Sequence, residues 1–353
     1  MKLKLRLLII FLLPLFFSGC LPGLNLNLGT TTAGVYKSDD YGEEWQKANK
    51  ITDQTSLAGV QINKIEIDPT DHRSVYLGTI GKGAWLSENS GESWRQIFNG
   101  SIVYDIALDP QNKGIVCLSD GTNVYRTLNL GKDWQQIYLE TRKEIYITAL
   151  QFDPTNNLII YLGTSNGEIY KTFDGGESWQ KIGETENIVR KILVNPKNTK
   201  IVYAGTDKNG IFRSADAGLS WTNLMGTYFD KSVYELRDKY RKIKYYYDMD
   251  LDPGAADGLI FASLFGIRRT SNGGKTWHDV EILTPANSVI IRKIAFNPKD
   301  NNHIYYATDS AFYRSFDGGL TWLSSSLPSS NSVGAISVDP QETNVVYMGI
   351  RKY

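Results

Sequence analysis

The chain has 353 residues, 12% of them aromatic and 22% charged, with 38 Lys and Arg set against 38 Asp and Glu. That balance lacks the basic excess of a general nucleic-acid binder, and two cysteines are too few for a disulfide-framed scaffold. The histidines, His72, His278 and His303, are scattered, so no metal site and no cofactor is expected.

Residues 1–20 read as a secretory signal. Lys2, Lys4 and Arg6 form the basic n-region and the run from Leu7 to Phe17 the apolar h-region, too short to span a bilayer as a mature helix. The run closes with Phe17-Ser18-Gly19-Cys20, which resembles a bacterial lipobox, with Phe17 where Leu is usual. The resemblance implies cleavage before Cys20, acylation of Cys20, and a lipid-anchored address outside the cytoplasmic membrane, on the periplasmic side or the cell surface; a plain signal peptide is the alternative. Removing residues 1–20 leaves 35 basic against 38 acidic residues, a net charge of −3. Residues 21–30 would then be a tether and residues 31–353 the folded domain. Cys117 falls in a predicted strand and is expected to be a small buried hydrophobe.

From residue 34 onward one motif recurs: Ser or Thr, any residue, Asp or Asn, any residue, Gly, two residues, Trp. Its copies are Ser38-Asp40-Gly42-Trp45, Ser87-Asn89-Gly91-Trp94, Thr127-Asn129-Gly131-Trp134, Thr172-Asp174-Gly176-Trp179, Ser214-Asp216-Gly218-Trp221, Thr270-Asn272-Gly274-Trp277 and Ser315-Asp317-Gly319-Trp322, which together hold seven of the eight tryptophans. The pattern is that of a hairpin turn. The Asp or Asn side chain accepts backbone N–H bonds, Gly supplies positive φ, and Trp opens the next strand with a large ring to bury. Seven carboxylates could bind metal or move protons, but Asn89, Asn129 and Asn272 carry amides, which favours a structural turn.

Between the turns come alternating strands that exit through Asp-Pro or Asn-Pro, such as Ile65-Glu66-Ile67-Asp68-Pro69 and Ile294-Ala295-Phe296-Asn297-Pro298. Short apolar strands follow, such as Val202-Tyr203-Ala204-Gly205-Thr206. Each repeat therefore holds four strands, A (inner) to D (outer), with the repeated turn between C and D. The N-terminus opens at a strand C, Gly34-Val35-Tyr36-Lys37-Ser38, while the C-terminus stops at a strand B, Val345-Val346-Tyr347-Met348-Gly349. The two halves make one blade. The predicted fold is all-β, a seven-bladed propeller of four-stranded antiparallel blades, closed by pairing the two ends so that no ring edge is left open.

The interval from Trp221 to Trp277 is long, and the insertion at 224–246 carries a capping-box pattern at Ser232 and Glu235, with Val233, Leu236, Tyr240, Ile243 and Tyr247 at helical spacing. A short amphipathic helix is predicted there. Arg237, Lys239, Arg241, Lys242 and Lys244 would surround its outer side, either as a recognition element for an acidic partner or anionic headgroups, or as a solvated charge run.

The repeated turn resembles the Asp-box, or bacterial neuraminidase repeat, of β-propellers. In most propellers the face carrying the B–C and D–A loops meets ligands. Here the B–C loops contain Lys82, Asp120, Asn166, Asp207, Lys208, Phe265 and Asp309, and the entrances of the inner strands contribute Lys64, Tyr104, Asp105, Arg190, Lys191, Asp248, Arg292 and Lys293. Arg190-Lys191 and Arg292-Lys293 share one register and could converge on carboxylates or sulfates; alternatively they pair with Asp105 and Asp248 across blades.

Four families carry such repeats. Sialidases are six-bladed and carry an N-terminal Phe/Tyr-Arg-Ile-Pro motif that is not found here. Xyloglucanase-like hydrolases are similar repeat by repeat, but resemble two propellers clasping a glycan between them. Sortilin-type receptors have ten blades. The photosystem II assembly factor family and its non-photosynthetic relatives match in size, blade number and lipidation, and imply a scaffold with a basic surface patch. The favoured expectation is a non-enzymatic, membrane-anchored binding or assembly scaffold holding a protein partner, of a membrane complex, on the B–C/D–A face. The alternative is a glycan-binding propeller or glycoside hydrolase, for which two carboxylates across a sugar are the usual minimum.

Overall fold

Period-two alternation broken by Asp-Pro yields strands and tight turns, and these assemble into seven four-stranded antiparallel sheets. The computed structural model describes residues 33–225, 245–264, 266–285 and 288–352. Within it, strand A is Gln61–Ile67 in blade 1, Asp105–Leu108 in blade 2, Ile147–Asp153 in blade 3, Val189–Val194 in blade 4, Tyr246–Leu251 in blade 5, Lys293–Asn297 in blade 6 and Ser332–Val338 in blade 7. These inner strands contact one another in cyclic order, blade 7 returning to blade 1, around a central channel. No helix occurs among the described residues.

Blade 7 is composite. Its strands A and B, Ser332–Val338 and Val346–Arg351, come from the C-terminal end, and its strands C and D, Gly34–Ser38 and Gln46–Lys47, from the N-terminal end. Strands B and C pair antiparallel from Gly34 opposite Ile350 to Ser38 opposite Val346. His72 of blade 1 adds a side-chain contact to Asp339 of blade 7 at 2.9 Å.

The core lies between blades. One cluster joins Ala149, Tyr161 and Ile169 of blade 3 to Val189, Ile192, Val194, Val202 and Ala204 of blade 4, and the other clusters likewise cross from blade to blade. The strand-B tyrosines run along these seams. Tyr161 donates its hydroxyl to Ala217 O at 3.3 Å and Tyr347 to Ser90 O at 2.8 Å, each in the repeated turn of the following blade. Cys117 is fully buried, and burial pushes its thiol pKa up to about 12.

Both margins of the 224–246 insertion, within which a short helix is expected, belong to the flanking blades. Leu224 and Met225 are buried against blade 5, with Leu224 N–H donating to Ile211 O at 2.9 Å. Tyr246 and Tyr247 belong to strand A of blade 5, whose pairing with strand B, from Tyr246 opposite Ser263 to Leu251 opposite Leu259, overrides the helical spacing of Tyr247. The remainder, including Arg237, Arg241 and Lys242, lies outside the described residues, as do Cys20 and Phe265.

Candidate functional site

Strand direction places the A–B and C–D turns on one face and the B–C and D–A loops on the other. On the first face the repeated turn uses its polar atoms internally. In blade 4, Asp216 accepts Ser214 Oγ at 2.7 Å, Ser220 N–H at 2.8 Å and Ser220 Oγ at 2.5 Å. Asn89 does the same in blade 1, accepting Ser87 Oγ at 2.8 Å and Ser93 N–H at 3.0 Å while its amide donates to Ser93 Oγ at 2.9 Å. Amide and carboxylate are interchangeable because only acceptance and one adjustable hydroxyl are needed. The Ser220 bonds lower the pKa of Asp216, and those of Thr321 that of Asp317, each to about 2, which suits a fixed acceptor and not a proton donor.

The turn's Trp and Gly face the preceding blade. Trp94, Trp134, Trp179, Trp221 and Trp322 donate their indole N–H to Ala48, Ile97, Ile137, Ile182 and Glu281 O at 2.7 to 3.2 Å. Gly131 has φ 75°, and a Cβ there would sit 2.6 Å from Ile97 Cβ, so the position excludes side chains by conformation and by space.

On the second face the channel opens into a polar mouth. Counting back from the proline of each A–B turn, the residue five before it is Lys64, Asp105, Ala149, Lys191, Asp248, Lys293 and Ala335 in blades 1 to 7. The residue before these is Asn63, Tyr104, Thr148, Arg190, Tyr247, Arg292 and Gly334, and all seven line the mouth. Five of the latter, Asn63, Thr148, Arg190, Tyr247 and Gly334, sit where the A–B register slips. A β-bulge at one depth re-aims a side chain from the sheet toward the axis.

The charges of the mouth are mostly paired. Asp105 is 5% exposed and accepts Lys64 Nζ at 2.8 Å together with the N–H groups of Ile106 and Leu150 at 3.0 and 2.9 Å. Asp248 repeats the arrangement, taking Lys191 Nζ at 3.1 Å and the N–H groups of Met249 and Ile294 at 3.0 and 3.3 Å. Each carboxylate thus bridges its own inner strand to the next. Burial opposes the charge of Asp248, but Lys191 and Lys293 outweigh it and hold its pKa below the usual value. Burial likewise opposes Lys64, whose pKa Asp105 and Glu66 nevertheless raise. At the rim, Arg190 donates Nε and Nη2 to Asp207 Oδ1 at 3.1 and 2.9 Å. Arg292 grips Asp309 in a two-point fork at 2.7 and 3.0 Å.

The expected alternative of cross-blade pairing therefore holds for Lys191 and Lys293, which meet Asp248 at 3.1 and 4.0 Å. For the two arginines it is corrected, since their partners come from the B–C loop of their own blade, where the guanidinium reaches without crossing the seam. Tyr104 stacks on Tyr146 with ring centres 5.8 Å apart. Asp120 caps its own loop through Thr122 and Asn123 N–H at 2.9 and 2.7 Å. Asn166 accepts Thr164 Oγ1 at 2.6 Å, while Lys82 and Lys208 are exposed.

Nearer the opposite mouth lies Asp250, two residues along strand A from Asp248. It accepts Leu251 and Phe296 N–H at 2.9 and 2.8 Å. Burial raises its pKa to about 6, with Asp248 adding to the shift and Lys191 opposing it.

The chain resembles two kinds of known protein. No family profile matches it. The xyloglucanase Xgh74A of Acetivibrio thermocellus is 24% identical over 155 residues, 42% of this chain and 16% of that protein. The photosystem II assembly lipoprotein Ycf48 of Prochlorococcus marinus is 25% identical over 158 residues, 44% of each. Among solved structures, the GH74 enzyme of Niastella koreensis superposes with a TM-score of 0.65 at 18% identity, over 82% of this chain and 51% of that one. YCF48 bound to a D1 peptide superposes with a TM-score of 0.61 at 16% identity, over 83% and 93%. The chain thus spans less than half of the curated relatives it matches, and the structural likeness shows a shared propeller fold.

Sequence reasoning missed Arg351. It leaves the end of strand B of blade 7 and passes over Gly334, where a Cβ would collide with its side chain and with Ile62 O, to hydrogen-bond Asn63 through Nη1. Aligning the inner strands on their prolines would have exposed the two rings and the glycine that makes way for this arginine.

Proposed function

We propose that the protein is a non-enzymatic binding or assembly scaffold, lipid-anchored through Cys20 on the extracytoplasmic side of a bacterial membrane, that holds a protein partner, part of a membrane complex, on the face of the channel mouth. The observation that carries the reading is the state of the mouth's acids. Asp105 and Asp248 are buried between lysines and backbone N–H groups, and Asp207 and Asp309 are held by arginines. Neither arrangement leaves an opposed acid and base across an open cleft, which hydrolysis of a glycoside ordinarily needs. The rim arginines, Arg190 exposed and Arg292 partly buried, suit an acidic protein surface. Likeness to Ycf48, named as an assembly lipoprotein and, in a solved structure, bound to a D1 peptide, supports the same reading.

A second reading, glycan binding, draws on the likeness to Xgh74A and on the Tyr104–Tyr146 stack, of which Tyr146 is 43% exposed. The test is recovery of the acylated protein from its native membranes at low salt, with bound proteins identified by mass spectrometry. A companion lost on a high-salt wash and absent from an Arg190→Glu/Arg292→Glu variant is the expected result, because exposed ion contacts are screened. Recovery of the protein alone would reject the scaffold reading, and binding or cleavage of xyloglucan oligosaccharides would then establish the second.

A further inference from the structure

A second ring lies deeper on the axis, three residues before the A–B prolines. All its members line a cavity of about 490 Å³ that continues to the A–B prolines, and so opens on the face of the repeated turns. Four are polar, Glu66, Gln151, Asp250 and Ser337; the rest are Ala107, Leu193 and Ala295. Glu66 shares Lys64 Nζ with Asp105, at 3.1 and 2.8 Å, and Gln151 donates its amide to Phe152 O at 3.1 Å. Asp250 differs. Its ring neighbours in blades 4 and 6 are Leu193 and Ala295, and its oxygens accept the N–H groups of Leu251 and Phe296, one each. No ammonium or guanidinium forms an ion pair with it among the described residues. Lys191, the cation that pulls on it most, gives its Nζ to Asp248 and to Met249 O at 3.1 and 2.7 Å. At the lower rim Lys197 turns to Pro253 O at 2.6 Å, and Asp252 is held by Arg269 at 2.6 Å.

We propose that Asp250 anchors an axial binding site for an alkylammonium group, a lysine side chain of a polypeptide or a free amine, that enters the lower channel from the face of the repeated turns. An ammonium is a point donor and needs one free lone pair, whereas the planar guanidinium fork is suited to both oxygens of a carboxylate; here each oxygen already takes a backbone N–H. A metal ion fits less well. Hard cations gather many oxygens, and among the described residues no three His, Cys, Asp or Glu side chains converge to hold one. Leu193 and Ala295, on either side of the carboxylate, offer an apolar wall to a methylene stem. The cost of the acid points the same way. Burial raises its pKa to about 6, so the ionised carboxylate lowers stability at neutral pH, and a carboxylate kept at such a cost on a cavity wall is characteristic of a binding position. A bound ammonium should favour the charged form and lower that pKa. The site lies on the axis below the mouth and stands independently of the scaffold reading.

The experiment is titration calorimetry on the full-length protein in detergent, at about pH 8 and at about pH 5, on either side of the Asp250 midpoint. The probes are n-butylammonium, an acetyl-Ala-Lys-Ala amide, uncharged n-butanol and potassium ion. At least one of the two amines is expected to bind at the higher pH. Its affinity should fall about tenfold at the lower pH, where the carboxyl is protonated, and about tenfold in Asp250→Asn. Binding of the peptide assigns a lysine side chain as the source; binding of n-butylammonium alone assigns a small amine. Carboxyl-carbon NMR of the aspartates, with the Asp250 signal identified through Asp250→Asn, should show its midpoint lowered by about one pH unit when the amine is bound. The comparison across pH uses the unaltered protein, so the site remains testable even if Asp250→Asn does not fold. Four results would overturn the proposal: no binding of either amine, equal binding of n-butanol, equal binding of potassium, or an amine affinity that moves neither with pH nor in Asp250→Asn. None of them bears on the salt-sensitive companion by which the scaffold reading is judged.

Discussion

The two faces of the ring obey different rules. On the face of the repeated turns, seven copies do one job, and Asn89 stands in for Asp216 without loss of a bond. At the channel mouth no two adjacent blades offer the same residue at the ring of Lys64, Asp105, Ala149, Lys191, Asp248, Lys293 and Ala335. Repetition marks what every blade needs in order to pack against its neighbour. Departure from it marks positions that the ring's stability leaves unconstrained.

The sharpest challenge to that contrast is Trp94→Ala. It removes a ring buried to 3% exposure and the indole bond to Ala48 O, and should cost about 3–5 kcal/mol, read as a lowered midpoint in chemical denaturation. A loss under about 1 kcal/mol would mean that the seams are not held by the motif. Asp250→Asn has a smaller effect and the opposite sign. The folded pKa of about 6 lies above the ordinary value of 3.8, so this carboxyl favours folding below about pH 4 and loses that contribution as pH rises through about 6. The amide keeps an acceptor for Phe296 N–H and should raise stability by roughly 1–3 kcal/mol at about pH 7 while changing little at about pH 4; parallel thermal-melting curves for the two proteins across that range would refute it. Least of all, Asp216→Asn should leave the denaturation midpoint of the parent unchanged, whereas Asp216→Ala, which removes the acceptor of Ser220 N–H, should lower it slightly. A large loss in the Asn variant would assign the carboxylate a role beyond the turn.

Much of the architecture was legible in the sequence because the turn is chemically demanding. A position such as Gly131 tolerates no side chain, and Trp must fill a seam, in five of the seven copies also donating an indole bond across it, so these residues recur at fixed spacing and betray the blades. The mouth was legible only as a set of residue names. That Arg190 would meet Asp207 rather than Asp105 depends on how far a guanidinium reaches along its own blade, and deeper in the channel Asp250 stands out only once its neighbours around the ring are known. Arg351 gave no local signal at all, since it reaches the axis from a strand B, over a glycine in strand A. Just past the 224–246 stretch the helical spacing misled, since Tyr247 fits the period of a helix but is claimed by the inner strand of blade 5.

The composite blade sets an order of events in folding. Gly34 and Ile350, partners across strands C and B of blade 7, are more than three hundred residues apart in sequence, so the entropy of bringing them together is nearly the largest this polypeptide meets. Blades 1 to 6 can each form from neighbouring segments, whereas the last seam forms only after the final strand has left the ribosome and found the first. Ring closure is thus a late, topologically slow step. Until it is complete, the six local blades leave strand edges and seam-facing apolar surfaces exposed at both ends of an open arc.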